Sequence, residues 1–287
     1  MNTKASSLNG ESSQVEPDTV SLDQSKSYRE LAVRDLLDGF RQWWMWSTMA
    51  WQDILQRYRG SVLGPFWLTL SMMIMIVALG ILYSKLFKIE LDSYLPFLCL
   101  GMITWTLISS IILDGCNSLI TAENIIKQIK IPFSVHVYRV LSRNVIIAGH
   151  NAIVYVIVML YFGIGVGAKT LLVVPALLLI IINGAWIVLL FGMICARFRD
   201  VPQIVASLVQ VVFFVSPIIW RPELLGEHQW MARLNPFFAQ IDIVRESLLN
   251  HSPALSSWGM ALATAVVGWT MTFLFFARFR ARIPYWV

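Results

Sequence analysis

Leu36-Leu-Asp-Gly-Phe-Arg-Gln-Trp-Trp-Met-Trp-Ser-Thr-Met-Ala-Trp-Gln-Asp-Ile-Leu-Gln-Arg-Tyr58 runs directly into Arg59-Gly-Ser-Val-Leu-Gly-Pro-Phe-Trp67. In the first part, apolar side chains recur at Leu36, Phe40, Trp43, Ala50, Ile54 and Tyr58, and Trp44, Trp51 and Leu55 widen the stripe. Asp38, Arg41, Gln42, Gln52, Asp53 and Gln56 fall on the opposite face. That is helical spacing with two distinct faces. Tryptophans on one face and polar groups on the other describe a helix lying in a membrane surface. A helix packed on another protein would show the same pattern. The second part opens an uncharged segment long enough to leave the surface and cross the bilayer.

Composition agrees. The chain has 287 residues, 57% hydrophobic and 14% charged, with a mean hydropathy of +0.67. A soluble domain carries about 25% charged residues, so lipid is the solvent for much of this chain. The net charge of +5 fits basic loops of a membrane protein better than nucleic-acid binding. Cys99, Cys116 and Cys195 lie in or beside apolar stretches with no metal-site spacing and read as packing residues. Residues 1–30 are rich in Ser, Asp, Glu and Gln and are expected to form a disordered cytoplasmic tail. Residues 31–287 read as one membrane domain.

A crossing helix needs about 20 mostly apolar residues. Six windows qualify: Val62–Tyr83, Tyr94–Leu113, Val145–Phe162, Leu171–Ala196, Ile204–Trp220 and Trp258–Ala277. An all-α integral membrane protein with six crossings is expected. Basic residues mark one side: Arg57, Arg59, Lys127, Lys130, Arg139, Arg143, Arg197, Arg199, Arg278, Arg280 and Arg282. The other side has fewer, and its acids include Glu90, Asp92, Glu223, Glu227, Asp242 and Glu246. The positive-inside rule places both termini in the cytoplasm.

Two connections are structured. In Gly115–Asn144, Asn117 can cap a helix bearing Leu119, Ile120, Ile125, Ile126 and Ile129, which Pro132 stops. A docking helix and a solvated connector both fit. On the other side, Leu224–Leu234 reads as a short helix, and Asn235-Pro236 caps a second that runs to about Leu249. Both are too short to span, which suggests two re-entrant or external half-helices. The sequon at Asn250 precedes proline and reads as chance.

The missing chemistry is as informative. The six windows contain no Lys, Arg, Asp or Glu, although ionisable groups normally mark ion and proton pathways. His150 in the third window reads as a hydrogen-bonded packing residue. Clustered carboxylates, histidines or an activated nucleophile, which a membrane-embedded transferase would need, are not found. Nor is a GxxxxGK[ST] phosphate loop. An ion-coupled carrier and an enzyme are therefore disfavoured, and any energy has to come from a partner. Aromatics are the positive feature of the spans: Phe66, Trp67, Phe97, Trp105, Phe213, Phe214 and Trp220 could line a passage for a polar, bulky glycan, or could simply pack helices.

Five motifs in order now resemble a family. Arg57-Tyr-Arg-Gly-Ser-Val-Leu-Gly-Pro-Phe-Trp67 is similar to the entry of the first crossing in permease subunits of polysaccharide ABC-2 exporters. Ile126-Lys-Gln-Ile-Lys-Ile-Pro132 resembles their cytoplasmic segment, and Ala196-Arg-Phe-Arg-Asp-Val201 the loop after their fourth crossing. Phe213-Phe-Val-Ser-Pro-Ile-Ile-Trp220 resembles the end of their fifth, and Leu234-Asn-Pro236 with Arg245 their external segment.

The resemblance implies a homodimer in the bacterial inner membrane bound to two ATPase subunits, with ATP and Mg on those partners and no cofactor or metal on this chain. The cargo implied is a lipid-linked polysaccharide such as an O-antigen; the alternative is a drug or small lipid. It implies ATPase coupling and gating through Asp53, Arg57, Arg59, Glu123, Lys127, Lys130, Arg197, Arg199 and Asp200. It assigns an external gate to Pro217, Asn235, Pro236 and Arg245, and a channel-facing position to Trp67.

Overall fold

The computed structural model describes residues 17–59, 64 and 66–287, with side chains from Ser27 onward. Twelve α-helices and three short 3-10 segments make up the described residues, with no strand among them. Residues 1–16 of the expected tail lie outside the described residues, as do Gly60 and Pro65 of the segment entering the first crossing.

Helix α1 spans Pro17–Arg41 and α2 spans Trp43–Arg57. The single helix expected over Leu36–Tyr58 is therefore broken at Gln42, whose ψ of 43° is not helical. The break has a cause in the packing. Gly39, near the end of α1, lies so close to Ser134 that a β-carbon there would collide with the serine hydroxyl. The chain then turns so that α2 lays Ala50 and Ile54, 0% and 2% exposed, against a different stretch of the same neighbouring helix. The apolar stripe seen in sequence is thus two faces. Ala50 and Ile54 face protein, while Trp44, Trp51 and Leu55 remain exposed.

Helix α3 spans Phe66–Phe87, α4 Leu91–Asn117, α5 Glu123–Gln128 and α6 Ser134–Phe162. After a 3-10 turn at Ala168–Leu172 come α7, Val173–Arg197, and α8, Val201–Val215. A second 3-10 segment, Pro222–His228, leads to α9, Gln229–Arg233, and α10, Pro236–Leu248. Helix α11 spans Leu255–Phe279, and α12, Ile283–Trp286, ends the chain.

Helix α4 is the central post. It touches α3, α6, α7, α8 and α10, and most of its length is buried. Helix α3 buries only one stripe, Thr69, Ile76, Gly80 and Ser84, and leaves Ile74, Met75, Leu82 and Leu86 exposed. Such a helix is stable only where lipid or a partner covers it.

Five helices are long and apolar enough to cross a membrane, against the six expected: α3, α4, α6, α7 with its leading 3-10 turn, and α11 with its trailing turns. The fifth window, Ile204–Trp220, forms only the 15-residue α8 followed by an irregular Ser216–Trp220. At 1.5 Å per residue, α8 is about 22 Å long, short of a hydrocarbon core of ~30 Å.

Three other boundaries are corrected. Asn117 is the last residue of α4 rather than a cap, and its side chain donates to the Leu113 carbonyl at 3.1 Å. The connecting helix shrinks to the six residues of α5, and α6 begins at Ser134 rather than near Val145. Arg139 and Arg143 masked the start of α6 because a hydropathy window does not know that a charge is paired. The expected helix at Leu224–Leu234 is a 3-10 segment and one short turn, kinked at Gly226, whose φ is +54°.

Candidate functional site

Three polar hubs hold the apolar helices together. The first joins α1, α6 and α11. The Asp35 side chain, wholly buried, accepts hydrogen bonds from the Phe133 and Ser134 backbone N–H groups at 3.3 and 3.1 Å. It caps α6 from a different helix, satisfying donors that every helix start leaves free. The Ser134 hydroxyl donates back to the Asp35 carbonyl at 2.6 Å. Arg280 then closes on Asp35 through Nε at 2.8 Å and Nη2 at 2.7 Å. A cavity of about 560 Å³ opens beside this hub, with Leu31, Ile126, Ile129 and Phe133 on its walls and Arg34 and Lys130 among its charges. Asp35→Ala should cost about 3 kcal/mol, because it removes a cap and strands a partly buried cation. Thermal unfolding in detergent measures this, and Asp35→Asn, which can still accept the backbone bonds, should lose less.

The second hub joins α2, α6 and α4. Asp53 accepts from Arg139 Nε at 2.8 Å and Nη2 at 2.5 Å, and from Arg143 Nη1 at 2.9 Å. Arg143 reaches on through Nη2 to Asp114 at 2.8 Å, and Asn144 donates to the same carboxylate at 2.9 Å. The Asp53 side chain and its two arginine partners are each at most 20% exposed. Burial works to raise the Asp53 pKa, but the two guanidiniums outweigh it and hold the carboxyl below its ordinary range.

The third hub lies at the opposite ends of the helices, where the chain leaves α8. Arg245 on α10 is 1% exposed. It donates from Nη1 and Nη2 to the Pro217 carbonyl at 3.1 Å, and from Nη2 to the Ile218 carbonyl at 3.3 Å. The Tyr94 hydroxyl donates to the Ile219 carbonyl at 2.6 Å, and Asn235 donates to the Ser216 hydroxyl at 2.8 Å. Asn235 also caps α10 by accepting from the Phe237 and Phe238 N–H groups. Phe97 lies against the Arg245 guanidinium, 3.7 Å from Cζ to ring centre, with Arg221 at 5.3 Å from the same ring. A β-carbon on Gly101 would collide with Arg245 Nη2, so glycine is what admits the guanidinium here. Burial pushes the Arg245 pKa down to about 10, which leaves it charged at neutral pH.

The sequence-derived residues sort unevenly over these hubs. The external set comes together: Pro217, Asn235 and Arg245 share the third hub, and Pro236 starts α10. The coupling set splits. Asp53 is in the second hub. Glu123 pairs with Lys127 at 2.6 Å and lies 3.8 Å from Arg199, which ties α5 to the loop after α7. Arg197 stands over Phe198 and Trp286, Asp200 precedes α8, Lys130 lines the cavity, and Arg57 and Arg59 are exposed.

The aromatic set is divided between two surroundings. Phe66, Trp67 and Phe214 are 62%, 54% and 63% exposed, on α3 and α8. Trp105 is buried against Phe213 and Phe237, Phe97 is buried beside Arg245, and the Trp220 indole donates to the Phe214 carbonyl at 3.1 Å. His150 binds the Ile146 carbonyl at 2.9 Å, the packing role expected of it. Asp35, Tyr94, Gly101, Asp114, Ser216 and Arg280 were not read from sequence as functional. Spacing could have flagged only Asp35, an acid on the apolar side of an amphipathic helix.

The described apolar helices are thus joined by polar hubs near their ends, while Arg41, Arg57 and Arg59 stay exposed. Residues 45–249 match the ABC-2 type transporter family, more than half of the chain. The chain belongs to that family and is a multi-pass membrane protein. It is similar to an O-antigen export system permease of Klebsiella pneumoniae, 22% identical over 205 residues, covering 69% of this chain and 78% of that protein. It is also similar to one of Myxococcus xanthus, 22% identical over 240 residues, covering 80% and 91%.

Proposed function

We propose that the chain is the transmembrane subunit of an ATP-driven exporter that moves a lipid-linked, O-antigen-like polysaccharide out of the cytoplasm. The observation that carries this reading is the similarity to O-antigen export permeases, which extends over 91% of the length of the Myxococcus protein. Hydrolysis falls to two separate ATPase subunits, which hold ATP and Mg. The cytoplasmic side is then the face of Asp35, α5 and the basic loops, and the membrane is the bacterial inner membrane.

Six crossings fit better than five. Asp35 and Arg280 are in contact, so they lie on one face, and the chain between them must cross an even number of times. Ser93 and Arg221, bonded at 2.9 Å, impose the same parity on α4, α6, α7 and whatever α8 does. Counting α8 satisfies both. Its short span is completed by Ser216–Trp220, in which the third hub supplies donors to the Pro217, Ile218 and Ile219 carbonyls.

Two copies are expected to meet through the exposed faces of α3 and α8, bringing Phe66, Trp67 and Phe214 to a shared passage. Aromatic faces there hold sugar rings weakly at many points, which suits a sliding chain. ATPase closure would press on α5 and α2, and the second hub would carry that displacement into α6 and α4. In the reconstituted exporter, Trp67→Ala should cut glycan transport about tenfold while dimer assembly is preserved. Disabling the partner's phosphate-loop lysine should abolish transport. Full transport by both variants would sink the reading, and transport of a small amphiphile but not of glycan would favour the drug or small-lipid alternative.

A further inference from the structure

Helix α2 carries two kinds of surface, and only one of them is covered by protein. Its inner edge, Ala50 and Ile54, is buried on α6. Its outer edge is the stripe Trp44, Thr48, Trp51 and Leu55, spaced by one or two helical turns and exposed throughout, with Trp44 at 59% and Trp51 at 50%. Tryptophan is the residue favoured at headgroup depth, where one edge of the ring is dry and the other wet. Next in the chain after α2 is α3, which itself exposes an apolar face.

The charges around the stripe are one-sided. Between Arg41 and Arg59 the only acidic residue is Asp53, and its carboxylate is taken by Arg139 and Arg143. Arg41, before the first turn, has a 78% exposed side chain and touches Asp38 only at 3.9 Å. Arg57 and Arg59, at and just beyond the last turn, are exposed and pair with no carboxylate among the described residues; Arg57 follows Asp53 by four residues and so starts from the side of α2 away from Trp44. The exposed aromatic stripe of α2 therefore has cations at its two ends rather than along it. Its chemical complement is a surface that is apolar beneath and anionic on top.

We propose that α2 is a binding surface for anionic phospholipid. Trp44, Trp51 and Leu55 sit at the acyl–headgroup boundary, and Arg41, Arg57 and Arg59 hold headgroups of net negative charge, such as phosphatidylglycerol. Because Asp53 fastens the other side of α2 to α6 and α4, the lipid charge under α2 sets the resting position of a helix that is locked to the bundle. This depends on the membrane location of the chain and not on its cargo or ATPase, so it can fail while the transport reading stands.

The test uses the full chain in vesicles, with an environment-sensitive fluorophore on Thr48→Cys; Cys99, Cys116 and Cys195 are buried and should not react. Phosphatidylcholine vesicles are compared with vesicles that also contain phosphatidylglycerol. The anionic lipid should blue-shift the fluorophore and protect it from an aqueous quencher. A surface cation adds about fivefold to such a preference, so Arg41→Gln, Arg57→Gln and Arg59→Gln should each remove roughly that factor. Arg57→Lys with Arg59→Lys should retain it. Equal protection in both lipids, or an anionic response untouched by the three Gln variants, would overturn the proposal. Protection that appears only on adding the ATPase would make the stripe a protein dock instead.

Discussion

Arg245→Met should destabilise the protein by about 4 kcal/mol in detergent, the largest loss expected from any single side chain described. Burying a hydrogen-bonded guanidinium is worth little in itself, but removing it leaves its partners stranded. The Pro217 and Ile218 carbonyls would lose their donors in a place water does not reach, at about 1–3 kcal/mol each. Methionine fills part of the volume, so the loss is electrostatic more than steric. Arg245→Lys should recover only part, since an ammonium cannot reproduce the two-nitrogen fork on adjacent carbonyls. Gly101→Ala tests the same hub from the other side, because its new methyl enters the space of Arg245 Nη2. Thermal unfolding with a buried-thiol dye reads all three. An Arg245→Met protein as stable as the wild type would show that the hub is not what holds the turn after α8.

Asp53→Ala should cost about 3 kcal/mol and also loosen α2 from α6. It leaves the Arg139 and Arg143 cations, 20% and 15% exposed, without their shared carboxylate. The double change Asp53→Leu with Arg139→Met should lose less than the sum of its parts, which a double-mutant cycle measures. The same hub predicts a pH dependence. The folded-state pKa of Asp53 lies below its ordinary value of 3.8, so its contribution is fully present above that pH. It is lost as the pH falls below 3.8, when the folded protein finally protonates the group. Stability flat down to pH 4 and then falling, with the fall reduced in Asp53→Ala, is the expected pattern.

Much of this architecture was legible in the sequence because hydrophobic length is a local property. α3, α4, α7 and α11 appear close to where uncharged windows place them, and the Asn235-Pro236 cap appears as spaced. Where the reading erred, a partner far along the chain decided the outcome. Arg139 and Arg143 look like loop residues until Asp53 and Asp114 are seen to neutralise them. Gln42 breaks a well-formed helical pattern because Gly39 must pass Ser134. Window Ile204–Trp220 stops short as a helix because Pro217 forces Ser216 into an extended conformation, ψ 142°, and Arg245 and Tyr94 then take up the carbonyls that follow. The site followed the same rule. Pro217, Asn235 and Arg245, grouped by the resemblance, meet in one hub, while Asp35 was missed because its partners lie about a hundred and about 245 residues away.

The turn after α8 also imposes an order on how the protein is made. A ribosome delivers Tyr94 well before Ser216–Trp220, but Asn235 and Arg245 only afterwards. During that interval the Pro217 and Ile218 carbonyls have no guanidinium, and hydrocarbon will not receive them bare. Those carbonyls gain their guanidinium donors only once α10 exists, so burying the turn has to wait for Arg245.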